Sequence, residues 1–261
     1  MKNLVILIPG NPSVPGIYDP FIQQVVQELK VEGEKKWEIL PHLGQCNTRR
    51  VRYKKVTLHD VIDDHKRKIN ELIVKHKADK VFLMGHSLGS AVTITLFEEF
   101  NTKIDHFVIL CPFVGPSKKN IPFLHLFKNP VSRMGMKNLS HAILLNDKIS
   151  QHFFETWLGT NPHNEHIAKE IKKPYYIDHF FKLVSSYFDS FEALNVRERM
   201  KEIDGKKTLF VFAPDDFWVP QETLDLLPNH STYHVCESIS HDFCLSEAQY
   251  KEVARVIGRH F

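Results

Sequence analysis

Ser87 sits in Gly85-His86-Ser87-Leu88-Gly89, a G-x-S-x-G pattern. The apolar run Lys80 to Met84 precedes it, and Ser90 to Phe100 reads as a helix after it. Strand, sharp turn and helix in that order present a serine hydroxyl at the tip of a sheet. The turn is strained and needs small residues on either side. The helix behind the serine points its N-terminus at the hydroxyl and favours negative charge there. A serine hydroxyl is a poor nucleophile near neutral pH. It needs a base within hydrogen-bond reach and a carboxylate that orients the base.

Sixteen histidines compete for the role of base. In open parallel sheets the functional groups gather at the carboxyl ends of strands. His241 follows the last predicted strand and precedes the last predicted helix. His230 stands before that strand, His234 within it and His260 at the far end of the helix. Asp215 and Asp216 follow the preceding strand, so the order is serine, acid, histidine, the order that accompanies a G-x-S-x-G elbow. Asp216, four residues before Pro220, is the favoured acid. Asp215 is the alternative, otherwise a cap or a solvated neighbour. Acyl transfer also needs two N–H donors for the oxyanion. The amide of Leu88, just after the serine, is one. Asn11, in Pro9-Gly10-Asn11-Pro12 after the first strand, is the other, because neither proline has an N–H. The competing reading of that loop is a plain tight turn.

These groups require a particular scaffold. Leu4 to Ile8 is an unbroken aliphatic run, as expected of a strand covered on both faces. A helix is expected from Asp19-Pro20 to about Lys30, then a strand over Trp37 to Leu40. A second helix follows, opened by a Thr57/Asp60 capping box, with Leu58, Val61, Ile62, Ile69, Leu72 and Ile73 on one face. His106 to Leu110 is a further strand. The alternation argues for an α/β fold with a parallel sheet. From Pro112 to about Asp204 the rhythm breaks, and helices are expected over 141–145, 148–158, 163–172 and 177–188. The reading is a core of residues 1–111 and 205–261 with a helical cap insertion of residues 112–204. The core resumes with a strand at 208–213, a short helix at 221–227, a strand at 232–236 and a last helix capped by Ser246 and Gln249.

The composition, 43% hydrophobic and 25% charged, is that of an ordinary globular domain. A net charge of +3 is too small to argue for nucleic acid. Cys46, Cys111, Cys236 and Cys244 have no metal-finger spacing, which fits a reducing, intracellular setting. No metal or organic cofactor is indicated. The start of the chain has too short an apolar run for a signal peptide or a membrane span. Arg49, Arg50, Arg52, Lys54 and Lys55 form a basic loop, read as a solvated stretch with docking to an anionic lipid surface as the alternative.

Taken together, these residues resemble the α/β-hydrolase superfamily and, within it, the lipid droplet-associated hydrolase family. The matching segments are Ile8-Pro9-Gly10-Asn11-Pro12, Tyr18, Pro20-Phe21, His42-Leu43-Gly44, Gly85 to Ser90, Asp216-Phe217-Trp218-Val219-Pro220 and His241-Asp242-Phe243. The resemblance implies a mostly parallel sheet flanked by helices. It implies a serine esterase or lipase on the cytoplasmic side, at the lipid droplet or endoplasmic reticulum surface, with neutral lipids or sterol esters as substrates. Three departures stand out. The chain begins almost at the oxyanion strand, so the first edge strands should be lacking. The region 121–145, strongly apolar in relatives, carries Lys128, Arg133 and Lys137. Gln45 stands where relatives more often have a histidine. Aromatic residues of the insertion (Phe113, Phe123, Phe127, Phe153, Phe154, Trp157, Tyr175, Tyr176, Phe180 and Phe181) would cover the site or simply pack helices. The alternatives are a lipid-binding scaffold without turnover, or thioester or peptide hydrolysis by the same triad.

Overall fold

The computed structural model describes residues 1–45, 56–158 and 164–261. The basic loop anticipated at 49–55 lies outside the described residues, as do the side chains of Phe153 and Trp157. Six strands form one sheet: β1 (Lys2–Ile8), β2 (Glu34–Ile39), β3 (Lys80–His86), β4 (His106–Leu110), β5 (Thr208–Phe212) and β6 (Thr232–Val235). Their order is β2-β1-β3-β4-β5-β6, and every neighbouring pair is parallel. The chain steps from β1 outward to β2, then returns past β1 to β3. The carboxyl ends of β1 and β3 therefore flank the switch point where loops diverge and leave a crevice.

The unalternating run predicted for β1 has its physical reason here. Leu4 to Ile8 are fully buried, because helices cover both faces of the sheet's centre. Each such side chain contributes about 1.5–3 kcal/mol relative to leaving it in water. At the edges the demand relaxes: β2 is half-buried and β6 mostly exposed.

Helix α1 (Pro15–Glu28) starts earlier than the Asp19-Pro20 expected from sequence. Pro15 takes the first helical position and Pro20 lies inside. Both prolines fit a helix start, and burial decides between them: the earlier start turns Ile17, Tyr18, Phe21, Ile22 and Val25 onto one buried face. Helix α2 (Leu58–His76) begins with the anticipated capping box, the Thr57 side chain accepting from the Asp60 amide and the Asp60 carboxylate from the Thr57 amide. Leu58, Val61, Ile62 and Ile69 are buried, and Leu72 and Ile73 pack on the core half-buried. Helix α3 (Leu88–Phe100) follows the serine, and α10 (Glu247–His260) closes the chain against α1. Its N-cap, Ser246, makes no side-chain cap bond. Gln249 instead turns its Oε1 to the Ser240 amide and hydroxyl, at 3.0 and 2.9 Å. The tertiary partner wins over the local capping box. The short helix anticipated at 221–227 is a 3-10 turn, Gln221–Leu226.

Between β4 and β5 the described residues form six helices: α4 (Ile121–Lys128), α5 (Pro130–Leu145), α6 (Asp147–Leu158), α7 (Asn164–Ile171), α8 (Pro174–Leu194) and α9 (Val196–Lys201). The sequence reading lacks α4, α9 and most of α5. These stretches carry mixed apolar and basic residues, so their periodicity is faint until α8 packs against α4, α5 and α7. Helix α8 also reaches α2, which seats this group of helices beside the core.

Candidate active site

Ser87 occupies the turn between β3 and α3 with φ 53° and ψ −114°, a strained conformation for a residue with a Cβ. Two backbone bonds grip the turn: the Ser87 amide donates to the Leu110 carbonyl at 2.9 Å, and the Phe113 amide donates to the Ser87 carbonyl at 3.3 Å. Ser90 staples it further, its hydroxyl lying 2.7 Å from the Gly85 carbonyl and 2.9 Å from that of Leu110. Gly89 is small by necessity, since a Cβ there would stand 2.0 Å from the Ile8 carbonyl oxygen. Helix α3 thus lies directly against the end of β1, beside the loop of Asn11.

His241 comes from the loop between β6 and α10. Its Nε2 lies 2.9 Å from the Ser87 hydroxyl and its Nδ1 lies 2.7 Å from Asp216 Oδ2. Asp216 comes from the loop after β5. Its side chain is buried, and its Oδ1 accepts from the amides of Trp218 (2.8 Å) and Val219 (3.2 Å). Those amides orient the carboxylate, and a carboxylate facing Nδ1 requires the proton on Nδ1. His241 Nε2 is then an acceptor for the serine proton. Asp215 takes no part in this contact: it is exposed, with φ 48°. Of the two aspartates anticipated from sequence, Asp216 is the one that meets the imidazole.

Leu88 is the first residue of α3, where backbone amides have no intrahelical acceptor. Asn11 lies across the crevice from it, and both line the cavity at Ser87. The Asn11 loop is held by Gln45, a fully buried side chain. Gln45 Oε1 accepts from the Ser13 amide and hydroxyl, both at 2.8 Å, and from the Tyr176 hydroxyl of α8 at 3.3 Å. The Ser13 amide can only donate, so the oxygen of the Gln45 amide is fixed there. Its nitrogen then donates to Asn11 Oδ1 at 2.8 Å. The sequence departure at Gln45 therefore has a structural job. Its signal was a polar residue in an otherwise unremarked loop, with partners 32, 34 and 131 positions away.

Two cavities meet at Ser87. One, about 200 Å³, is apolar and runs under α4 and α8, lined by Phe113, Phe123, Leu124, Phe127, Phe180 and Val184. The other, about 280 Å³, is more polar and lies toward Gly10, Tyr18, His86 and Asp242. Of the aromatics anticipated as a cover, Phe113, Phe123, Phe127 and Phe180 line the first cavity, whereas Phe154, Tyr176 and Phe181 are core residues. A larger cavity, about 580 Å³, lies behind the Asp216 loop by Lys118 and Lys119 and contains neither Ser87 nor His241. The largest of these three cavities is therefore not the one beside the hydrogen-bonded Ser87, His241 and Asp216 side chains.

Among the described residues, His86, Cys111 and His241 are the one group of three metal-type donors whose atoms lie within 4.8 Å of one another. Both ring nitrogens of both histidines are already in hydrogen bonds. Burial pushes the Cys111 thiol well above its usual range, away from the thiolate a metal would need. The ring nitrogens are instead engaged with Tyr18, the His241 carbonyl, Asp216 and Ser87.

Solved structures share this architecture. An epoxide hydrolase from Vigna radiata, 14% identical, superposes with a TM-score of 0.72 over 100% of this chain and 90% of that one. A monoacylglycerol lipase from Paleococcus ferrophilus, 18% identical, gives 0.60 over 99% and 95%. The peroxisomal α-β-hydrolase Lpx1 of Saccharomyces cerevisiae, 12% identical, gives 0.70 over 100% and 76%. At these identities the likeness concerns the fold, that of the α/β-hydrolases. By sequence, the chain is 23% identical over 277 aligned positions to a lipid droplet-associated hydrolase of Dictyostelium discoideum, covering 94% of this chain and 83% of that protein. The family model for lipid-droplet associated hydrolases matches residues 1–244, a span that takes in the Asn11 loop, the serine elbow, Asp216 and His241. On that match the chain belongs to the lipid-droplet associated hydrolase family.

Proposed function

We propose that the protein is a serine carboxylester hydrolase acting on apolar esters, with Ser87 as nucleophile, His241 as base and Asp216 as the acid that orients it. The observation that carries this reading is the unbroken contact from Asp216 through His241 to Ser87, at 2.7 and 2.9 Å, beside an apolar cavity. Ser87 Oγ attacks the ester carbonyl carbon while its proton passes to His241 Nε2. The amides of Asn11 and Leu88 hold the oxyanion. Collapse breaks the bond to the alcohol oxygen, which takes the proton from His241. Water then repeats the sequence on the acyl-enzyme and releases the acid.

The apolar cavity is smaller than the roughly 300–1,000 Å³ of common small-molecule pockets. It suits one acyl chain near its reacting end, with the rest of a neutral lipid or sterol ester left outside. Phe123 and Leu126 on α4, which roofs this cavity, and Val131 and Met134 on the neighbouring α5 are exposed apolar side chains. They fit peripheral contact with a lipid droplet or membrane surface. Among the described residues no helix is long and apolar enough to cross a membrane.

Labelling by a fluorophosphonate probe tests the assignment. The wild-type protein should be labelled and should hydrolyse short p-nitrophenyl esters, and Ser87→Ala should lose both. An unlabelled wild-type protein that binds lipid as well as Ser87→Ala does would overturn it in favour of a lipid-binding scaffold.

A further inference from the structure

The x before Ser in G-x-S-x-G is His86, 4% exposed, and both of its ring nitrogens are in short contacts. Nδ1 lies 2.8 Å from the Tyr18 hydroxyl, and Nε2 lies 2.8 Å from the backbone carbonyl oxygen of His241. The Tyr18 hydroxyl is itself 2.9 Å from the Gly10 amide. The direction of every bond follows from the two ends. A carbonyl only accepts, so His86 carries its proton on Nε2. Nδ1 must then accept, so the Tyr18 hydroxyl donates to it. An amide only donates, so the Gly10 N–H points at the Tyr18 oxygen. Along this line the Tyr18 hydroxyl and the His86 imidazole each give one bond and receive one.

We propose that Tyr18 and His86 form a positioning relay that fixes the base loop and the oxyanion loop to one another. This rests on the ester hydrolase reading of the same site. At one end the relay pins Gly10, the residue before Asn11. At the other it pins the backbone of His241, whose imidazole must meet Ser87. The three parts come from α1, β3 and the loop before α10, and Tyr18 also bonds the Cys244 side chain just after His241. The ring contacts agree: His86 lies 5.2 Å from the His241 ring and 5.1 Å from Phe243, which wedges edge-on against it. Neither member exchanges a proton with substrate. Burial holds His86 down to about 3 and raises Tyr18, so both stay neutral while the base cycles.

His86→Leu removes both bonds. His86→Gln retains an amide N–H for the His241 carbonyl and an oxygen toward Tyr18. The expectation for His86→Leu is a fall of about 100-fold in kcat on p-nitrophenyl butyrate, with KM within about threefold, because misplacement of this size acts on the reacting geometry. His86→Gln should recover most of it, to within about tenfold of wild type. Tyr18→Phe, which keeps the ring, should lose about tenfold in kcat. Nitrogen-15 spectra of the wild-type imidazoles, with His86 assigned by its absence from His86→Gln, should show the Nε2–H tautomer. A His86→Leu protein as fast as wild type, or His86 in the Nδ1–H form, would overturn the relay. The tautomer is read without any substrate. A protein that fluorophosphonate labels and esters do not engage overturns only the ester reading. The same variants are then ranked by labelling rate, and equal rates overturn the relay. If His86→Leu folds poorly, the tautomer, assigned with the conservative His86→Gln, and the Tyr18→Phe rate decide.

Discussion

The contact of Ser87, His241 and Asp216 is only as good as the side chains that hold the loops around it, and Gln45 is the test at the level of single residues. Gln45→Leu keeps nearly the same volume but removes the Gln45 bonds to the Ser13 amide and hydroxyl, the Tyr176 hydroxyl and Asn11 Oδ1, though the Ser13 hydroxyl still accepts from the His42 amide. An unsatisfied buried group costs about 1–3 kcal/mol. Some of the four will find other partners, so a net loss of about 2–4 kcal/mol is expected, visible as a melting point lower by roughly 5–10 °C. If the Asn11 amide serves the oxyanion, kcat should fall about tenfold as well, since the loop then loses its only side-chain anchor on Asn11 among the bonds described. A melting point unchanged within error would show that Gln45 bears no such load. Ser87, His241 and the Asp215/Asp216 pair were legible in the sequence because strand ends and chain order restrict where a triad can lie. Gln45, Tyr18 and His86 were not legible in their roles. Their partners are far away in the chain, and the G-x-S-x-G pattern is silent about the residue at x.

Elements tell a similar story at a larger scale. Strands β1, β3, β4 and β5 are written as apolar runs, and the sheet follows from them. Helices α4 and α5 are written less plainly, because mixed apolar and basic residues blur their faces and both pack on α8. That less legible part lines much of the apolar cavity at Ser87. From His241 a chain of rings leads into it: Trp218 at 6.4 Å, then Phe123 at 5.5 Å, Phe127 at 5.3 Å and Phe181 at 5.8 Å. Phe127 therefore stands well along the apolar cavity from the base, stacked on a core ring. Phe127→Ala should lengthen the cavity and move the preferred acyl chain of p-nitrophenyl esters from about four to eight carbons toward about ten to twelve. A profile that keeps the same maximum would mean that the acyl chain does not lie along this row. The outer side of α4 and α5 is testable apart from catalysis. Val131→Asp with Met134→Asp should weaken cosedimentation with neutral-lipid emulsions several-fold, each aspartate opposing burial of its helix face. Hydrolysis of short soluble esters should stay near the wild-type rate. Unchanged cosedimentation would remove this face as the lipid contact.

The molecule as a whole stores an acid sensitivity in its buried imidazoles. His42 and His65 are both fully buried, with Nδ1 of the first 3.0 Å from Nε2 of the second, and His86 is buried next to Ser87. Burial holds His42 and His86 down to about 3 and His65 well below its usual value. In the unfolded chain each of these imidazoles regains an ordinary value near 6.5. Between about pH 6.5 and 3 the unfolded chain therefore binds more protons than the folded one, so stability falls as pH falls through that window. Above about pH 6.5 both states are neutral at these sites and the effect vanishes. For His42 and His86 together the slope is about 2.7 kcal/mol per pH unit once the unfolded imidazoles are charged, roughly 5–10 °C of melting temperature per unit in a chain of this size. Paired carboxylates also destabilise proteins in acid, but little at pH 5.5, where they are ionised in both states. The discriminating measurement is proton uptake on unfolding at pH 5.5, obtained by calorimetry in buffers of different ionisation enthalpy. At least about two protons should be taken up per chain. Uptake well below one would mean that these histidines reach solvent or carry charge in the folded state, and the buried positions assigned to them would then be wrong.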